Sequence, residues 1–376
     1  MSNSNNFNGG PKGGAGKTDG AGQTGSTGKF NGPGKKVLSF GEILLRICPD
    51  AGGEWLHDNT LSFYVGGAEA NVATALALWG VPSAYFTAMP DNNMMSRQLT
   101  SYLQQKNIDT APIRYQGDRI GLYYLPKGKD LKNAGVIYDR AHSSFSELQP
   151  GTIDWDTVLQ DVSWLHFTAI SPALNNQIAL VCEELLQAAS ARKITISVDL
   201  NYRAKLWQYG AQPSDIMPRL VQYCDVIMGN LWAAEKMLGI PVDAALTEGS
   251  KKEDYLGHAQ STSEQIAWLY PRAGKGVIAN TFRFDHGNGG INYYTTLFSD
   301  EKLHVSKEFF ADKIVDKVGS GDCFMAGLIY GLYRQHDLQQ VLDFAAAAAF
   351  KKLFITSDAT DQKSEEIQKF IDTYER

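Results

Sequence analysis

From residue 37 onward, apolar residues gather in short β-branched runs that alternate with longer stretches of helical spacing. The strand-like runs are 37–45, 83–89, 164–170, 194–200, 225–228 and 276–284. Between them, residues 69–79, 94–106, 178–192 and 231–238 place apolar side chains three and four apart, and a final helical section runs over 322–354. This alternation predicts a mainly parallel sheet covered by helices on both faces. Residues 111–141 break the rhythm. There, 111–116, 119–126 and 136–140 read as strands with no helix between them. Together with 46–65 they predict a small β-sheet lid over the α/β body, the kind of element that keeps water from a reaction site. Gly327 and Gly331 stand four apart in the final helical section. Each costs a helix roughly 1 kcal/mol against alanine, so close packing of a neighbouring backbone is expected there.

Residues 1–36 do not share the pattern. They hold eleven glycines, and five lysines (Lys12, Lys17, Lys29, Lys35, Lys36) against a single acid, Asp19. So little apolar surface cannot offset the entropy of ordering, which predicts a disordered tail over 1–36 and one folded domain over 37–376. The run Gly13-Gly14-Ala15-Gly16-Lys17-Thr18 imitates a phosphate-binding loop, but the motif's first glycine falls at Pro11 and no strand precedes it.

Composition narrows the class. The 376 residues are 43% hydrophobic and 20% charged, ordinary values for a globular protein large enough to bury a sizeable core. The net charge is −6, and the basic tail leaves the remainder more acidic still, which argues against nucleic acid as a partner. No apolar stretch reads as a membrane span or a signal peptide, so a cytoplasmic location is expected. Cys48, Cys182, Cys224 and Cys323 are far apart and lack metal-ligand spacing, and they read as reduced, mostly buried side chains.

Candidate chemistry concentrates in four places. Gly319-Ser320-Gly321-Asp322 follows a β-branched stretch and opens a helical run with Phe324, Leu328 and Leu332 in register. The glycines permit a sharp turn, the amides would stand at the positive end of a helix, and Asp322 could take a proton from an attacking hydroxyl. A plain capping aspartate after a glycine turn fits the same letters. Gly66-Gly67-Ala68-Glu69-Ala70-Asn71 runs straight into a helix, so its amides and Asn71 could meet substrate hydroxyls, or simply make a strand-to-helix turn. Asp199-Leu200-Asn201-Tyr202-Arg203 closes a strand, where ligands of open α/β sheets collect. Alternation puts Asp199, Asn201 and Arg203 on one face, with Arg203 able to grip an anion through two bonds or to serve as a surface ion pair. Tyr138 and Arg140 share one face of a lid strand.

Together these stretches resemble the ribokinase (PfkB) family of sugar kinases over nearly all of 37–376, and within it the 2-keto-3-deoxygluconate kinases most closely. The resemblance rests on Phe40-Gly41-Glu42-Ile43, the 66–71 segment, Gly121-Leu122-Tyr123, Tyr138 with Arg140, Ile170-Ser171-Pro172-Ala173-Leu174, the 199–203 segment, and Asp316 through Gly327. It implies a ribokinase-like three-layer α/β sandwich and ATP- and Mg2+-dependent phosphorylation of a sugar-acid hydroxyl, such as 2-keto-3-deoxygluconate to its 6-phosphate. It also implies roles. Asp322 would be the base and Gly319, Ser320 and Gly321 the anion hole. Gly67, Asn71, Tyr123, Tyr138, Arg140, Arg203 and Asp358 would meet the substrate, and Asn201 the nucleotide. A lid with an apolar outer face would suit a homodimer. One departure concerns the metal: the family's N-x-x-E reads Asn230-Leu231-Trp232-Ala233, with an acid displaced to Glu235 as the expected water-mediated magnesium residue. Two alternatives stay open, a kinase of a neutral sugar such as fructose and a sugar-acid sensor without turnover.

Overall fold

The computed structural model describes residues 30–49, 59–126, 135–247, 251–285 and 289–374. Nearly all of the expected tail, and with it the glycine-lysine run at 13–18, lies outside these residues.

Six strands of the central sheet follow the parallel order implied by strand–helix alternation: Val277–Asp285, Val226–Gly229, Thr195–Asp199, Val162–Thr168, Lys36–Phe40 and Ser83–Phe86, extended by Ile108–Asp109 at one edge. At the other edge Ile291–Ser299 pairs antiparallel with Val277–Asp285 and is followed by Lys302–Val305 and Phe309–Ala311. The parallel strands are buried on both faces, as such strands must be. Side-chain alternation feeds two cores. Leu38, Leu165 and Ile196 join the helices Asn176–Ala191, Pro213–Val221 and Leu231–Leu238 on one side. Val37, Trp164 and Val226 join Ala68–Leu78, Ser320–Tyr333 and Leu338–Lys352 on the other. Three layers result. The last two helices pack where the glycines allow it: a Cβ on Gly327 would come within 2.5 Å of Ala345 Cα, and one on Gly331 within 2.8 Å of Val341 Cγ2.

Three expectations are corrected. The single strand read over 37–45 breaks at Gly41, where a Cβ would overlap the Glu69 carboxyl. Lys36–Phe40 stays in the body and Leu44–Cys48 enters the lid. The lid is a four-stranded sheet in the order Ser62–Gly66, Leu44–Cys48, Gly121–Tyr124, Ile137–Asp139. Residues 111–116 are not part of it, since Arg114–Tyr115 pairs instead with Ala88–Met89. The third correction is the tail boundary. Phe30 is buried against Trp164, with ring centroids 5.7 Å apart. Asn31 donates to the Lys193 carbonyl at 2.8 Å, and Tyr333 Oη donates to the Lys35 carbonyl at 2.6 Å. One aromatic ring and paired backbone groups suffice to dock 30–35, although the composition of 1–36 as a whole argues against order.

The lid has two unlike faces. Arg46, Tyr64, Tyr123 and Tyr138 are paired across it on one face. Phe63, Ile47, Tyr124 and Ile137 form a row on the other, with Phe63 and Ile137 exposed. No helix among the described residues is long and apolar enough to cross a membrane, and the four cysteines are buried.

Candidate active site

The site gathers at the carboxyl ends of the parallel strands, where the helices start and their orphan amides point outward. Gly319 caps the helix Ser320–Tyr333 with φ 78°, a left-handed value that glycine adopts at little cost. The Asp358 carbonyl is pressed against it and leaves no space for a side chain. The Ser320 hydroxyl donates to the Ala349 carbonyl at 3.0 Å, so this residue can serve an anion through its amide and not its side chain. Asp322 stands in the first helical turn and accepts from Asn71 Nδ2 at 2.7 Å. Asn71 is held for this by the helix Ala68–Leu78, which starts at Gly67, φ 129°. Burial pushes the Asp322 carboxyl up to about 6, against the pull of Asn71, Arg203 and Lys352. A carboxylate poised near neutrality beside orphan amides can accept a proton while a neighbouring anion is stabilised.

A cleft of about 660 Å³ opens in front of Asp322. The structure brings to it Ser320, Gly321, Asn201, Arg203 and, from the lid, Tyr138. The Arg203 guanidinium donates to its neighbour's carbonyl, Tyr202 O, at 3.0 Å, and among the described residues it has no carboxylate partner. Among the described residues, Asp199 and Asp322 are the two acidic ones that line the cleft. Asp199 accepts from the Asn201 amide through Oδ1 at 3.0 Å, and its Oδ2 has no hydrogen-bond partner among the described residues. Burial pushes it up to about 7. These hard oxygen donors, beside the helix amides, fit a magnesium ion held largely through water.

Other expected residues are absent from the lining of this cleft. Arg140 is buried, and its Nε donates to Glu42 Oε2 at 2.5 Å. Tyr123 Oη donates to Asp358 Oδ2 at 2.7 Å. Gly67 packs against the Glu42 carbonyl. Glu235 is corrected outright: it is absent from the cleft lining and pairs with Lys236 at 3.0 Å. The helix Leu231–Leu238 turns Ala233 into the cleft, and a residue two positions on points to the far side. Asn230 caps this helix by accepting from the Ala233 amide at 2.8 Å.

Sequence reasoning missed three buried charges. Arg46, fully enclosed, donates to Asp316 Oδ2 at 2.8 Å, lies 2.9 Å from Asp358 Oδ1 and stacks 4.9 Å from the Tyr64 ring centre. An arginine inside the apolar run Leu44–Cys48 was the available signal. Glu69 accepts from the Thr168 amide at 3.0 Å and hydroxyl at 2.7 Å, and burial pushes it up to about 7. Glu42 is the third.

Such a sheet, with a helix amide cradle and a near-neutral aspartate at its strand ends, defines a ribokinase-like small-molecule kinase. The chain belongs to the pfkB family of carbohydrate kinases, whose model matches residues 35–361. It is similar to a 2-dehydro-3-deoxygalactonokinase of Haloferax volcanii, 26% identical over 337 residues that cover 89% of this chain and 96% of that protein. It is also similar to a 5-dehydro-2-deoxygluconokinase of Geobacillus kaustophilus, 26% identical over 314 residues, 81% of this chain and 84% of the other. Among solved structures, the 2-dehydro-3-deoxygluconokinase of Thermotoga maritima superimposes with a TM-score of 0.80 at 32% identity, covering 90% of this chain and all of that one. A fructokinase of Xylella fastidiosa with bound ATP shares the fold at a TM-score of 0.67 and 18% identity, over 90% of this chain and 98% of its own.

Proposed function

We propose that this carbohydrate kinase transfers the γ-phosphoryl group of ATP to a hydroxyl of a sugar acid, with 2-keto-3-deoxygluconate, phosphorylated at its 6-position, as the preferred substrate. The observation that carries the reading is Arg203: its guanidinium, which forms no ion pair with a carboxylate among the described residues, faces the same cleft as Asp322. A substrate carboxylate leaving water needs a charge-assisted partner, which a neutral sugar does not. The named activities of the relatives support the same class.

In this reading Arg203 and Tyr138 hold the acid end and turn its far hydroxyl toward Asp322. Asp322, aimed by Asn71, takes the hydroxyl proton as the oxygen attacks, and the amides of 319–321 receive the charge that develops on the transferring group. Asn201 serves the nucleotide side. Magnesium would supply charge neutralisation at the phosphates, with Asp199 as the facing carboxylate in the absence of an acid at 233.

An ADP-release assay over sugar acids and neutral sugars tests the reading. The expected result is turnover with 2-keto-3-deoxygluconate or its C4 epimer and little with fructose or ribose. Preference for fructose would make it a neutral-sugar kinase, and tight acid binding without turnover would make it a sensor. The lid row containing Phe63 and Ile137 is read as a homodimer contact, to be checked by light scattering against the 41.3 kDa chain.

A further inference from the structure

Among the described residues the chain crosses between body and lid four times, at 41–43, 66–67, 116–121 and 139–141, and Glu42 stands where these crossings meet. Its own backbone makes the first crossing, from Lys36–Phe40 to Leu44–Cys48. Its carbonyl oxygen closes on the second, since a Cβ on Gly67 would come within 2.6 Å of it. Its carboxylate fills the third, lying against Gly121 where a Cβ has no room. At the fourth, Oε2 accepts from Arg140 Nε at 2.5 Å.

Packing alone does not account for this carboxylate. Its side chain is 1% exposed and Oε1 has no hydrogen-bond partner among the described residues. A buried carboxylate with one oxygen unpaired is costly, and an apolar side chain of similar volume would fill the space more cheaply. The charge does fix its partner. Arg140 gives Nε to Glu42, and its two terminal nitrogens carry no hydrogen bond to any described residue. One edge of the guanidinium is gripped and the other is left open.

We propose that Glu42 is a positioning residue: it holds Arg140 by Nε at the common hinge of the lid, so that the open edge of the guanidinium meets the sugar acid and lid placement is coupled to acid binding. This rests on the functional reading above for the nature of the ligand. Filling the active site with an acid then draws the lid through Arg140, and Glu42 transmits the pull to all four crossings.

Two variants test it. Glu42→Gln keeps the shape and removes the charge, and Gly121→Ala pushes on the carboxylate without removing it. The probes are 2-keto-3-deoxygluconate and ATP, titrated by calorimetry, with hydrogen exchange followed in the unliganded protein. Both variants are expected to weaken the sugar acid, Glu42→Gln on the order of 10- to 100-fold, as small misplacements of a binding group do. ATP affinity stays within about twofold, because the nucleotide side is untouched, an expectation that follows from non-contacting sites being independent. Exchange rises in 44–48 and 121–124 and not in 195–199. Unchanged acid affinity in both variants overturns the proposal, even if the melting temperature falls. So does faster exchange spread evenly over lid and body, which is mere destabilisation. If the wild-type protein binds no sugar acid, the functional reading fails and the coupling with it. If it binds the acid but lid exchange is unmoved in both variants, the hinge alone is overturned.

Discussion

Asn71 Nδ2 and Asp322 Oδ2 lie 2.7 Å apart and join the first turns of two helices separated by 251 residues in the chain. The bond both aims the carboxylate and opposes the rise in its proton affinity that burial causes. Asp322→Asn is expected to lower kcat by about 10²–10⁴-fold, the usual worth of a general base, while sugar-acid affinity and melting temperature stay near wild type. Rates within threefold of wild type would remove Asp322 from the catalytic role.

The pH profile follows from the same contact. A base must be unprotonated, so kcat/KM should fall as pH drops through about 6, the value to which burial raises Asp322. Asn71→Ala removes a bond to the charged form, and its acid limb should move to higher pH. A limb left in place by Asn71→Ala would show that another group controls it.

The buried carboxyls of the site should contribute to stability in the opposite pH sense from a salt-bridged carboxylate. Burial raises Asp199 to about 7, Glu69 to about 7 and Asp322 to about 6, so the folded state holds more protons than the unfolded state between the ordinary carboxyl value and these values. Their contribution is most favourable at the acid end of that window and is lost as pH rises toward 7. Asp199→Asn should therefore raise the melting temperature at pH 7.5 more than at pH 5, by differential scanning calorimetry. An equal change at both pH values would argue against the raised proton affinity.

Arg203 carries the substrate assignment. Arg203→Ala should weaken the sugar acid by roughly 2–4 kcal/mol, the range for stranding one partner of a buried charged pair, and Arg203→Lys should recover only part of it. Equal losses for fructose and the sugar acid would make Arg203 structural.

Arg46 ties the lid strand Leu44–Cys48 to Asp316 and Asp358, close to the glycine turn at 319–321. Arg46→Met strands two buried carboxylates and should cost about 3–5 kcal/mol in urea denaturation. At the other end of the sheet, Phe30→Ala opens a hole beside Trp164 and should cost about 3 kcal/mol, near the low end for a buried phenylalanine because the segment can partly collapse. A change below 0.5 kcal/mol in either case, a bound set by ordinary surface substitutions, would show that the contact contributes little.

Much of this arrangement is legible in one dimension because its causes are local. Strand and helix periods, the glycine turns at 66–67 and 319–321, and the helix start that carries Asp322 each follow from a few consecutive residues. Arg203 past a strand end and Tyr138 on a lid strand could be placed by alternation alone, and both line the cleft. The antiparallel edge formed by Ile291–Ser299 and its neighbours was not read, since its apolar run does not tell which partner it will take.

What the tertiary structure decided is the pairing of charges. Nothing near Arg46 in the chain announces Asp316, 270 residues on, and nothing near Arg140 announces Glu42, 98 residues back. A helix carries residue 235 away from the cleft that residue 233 faces, so an acid displaced by two positions cannot replace the one absent at 233. Sequence by itself determined the fold, the glycine turn at 319–321 and the helix start that carries Asp322, because backbone periodicity and turn chemistry are short-range. Which carboxylates stay open to a ligand, and which are consumed by a buried guanidinium, depends on desolvation and on contacts between distant segments, and only the folded chain brings those together.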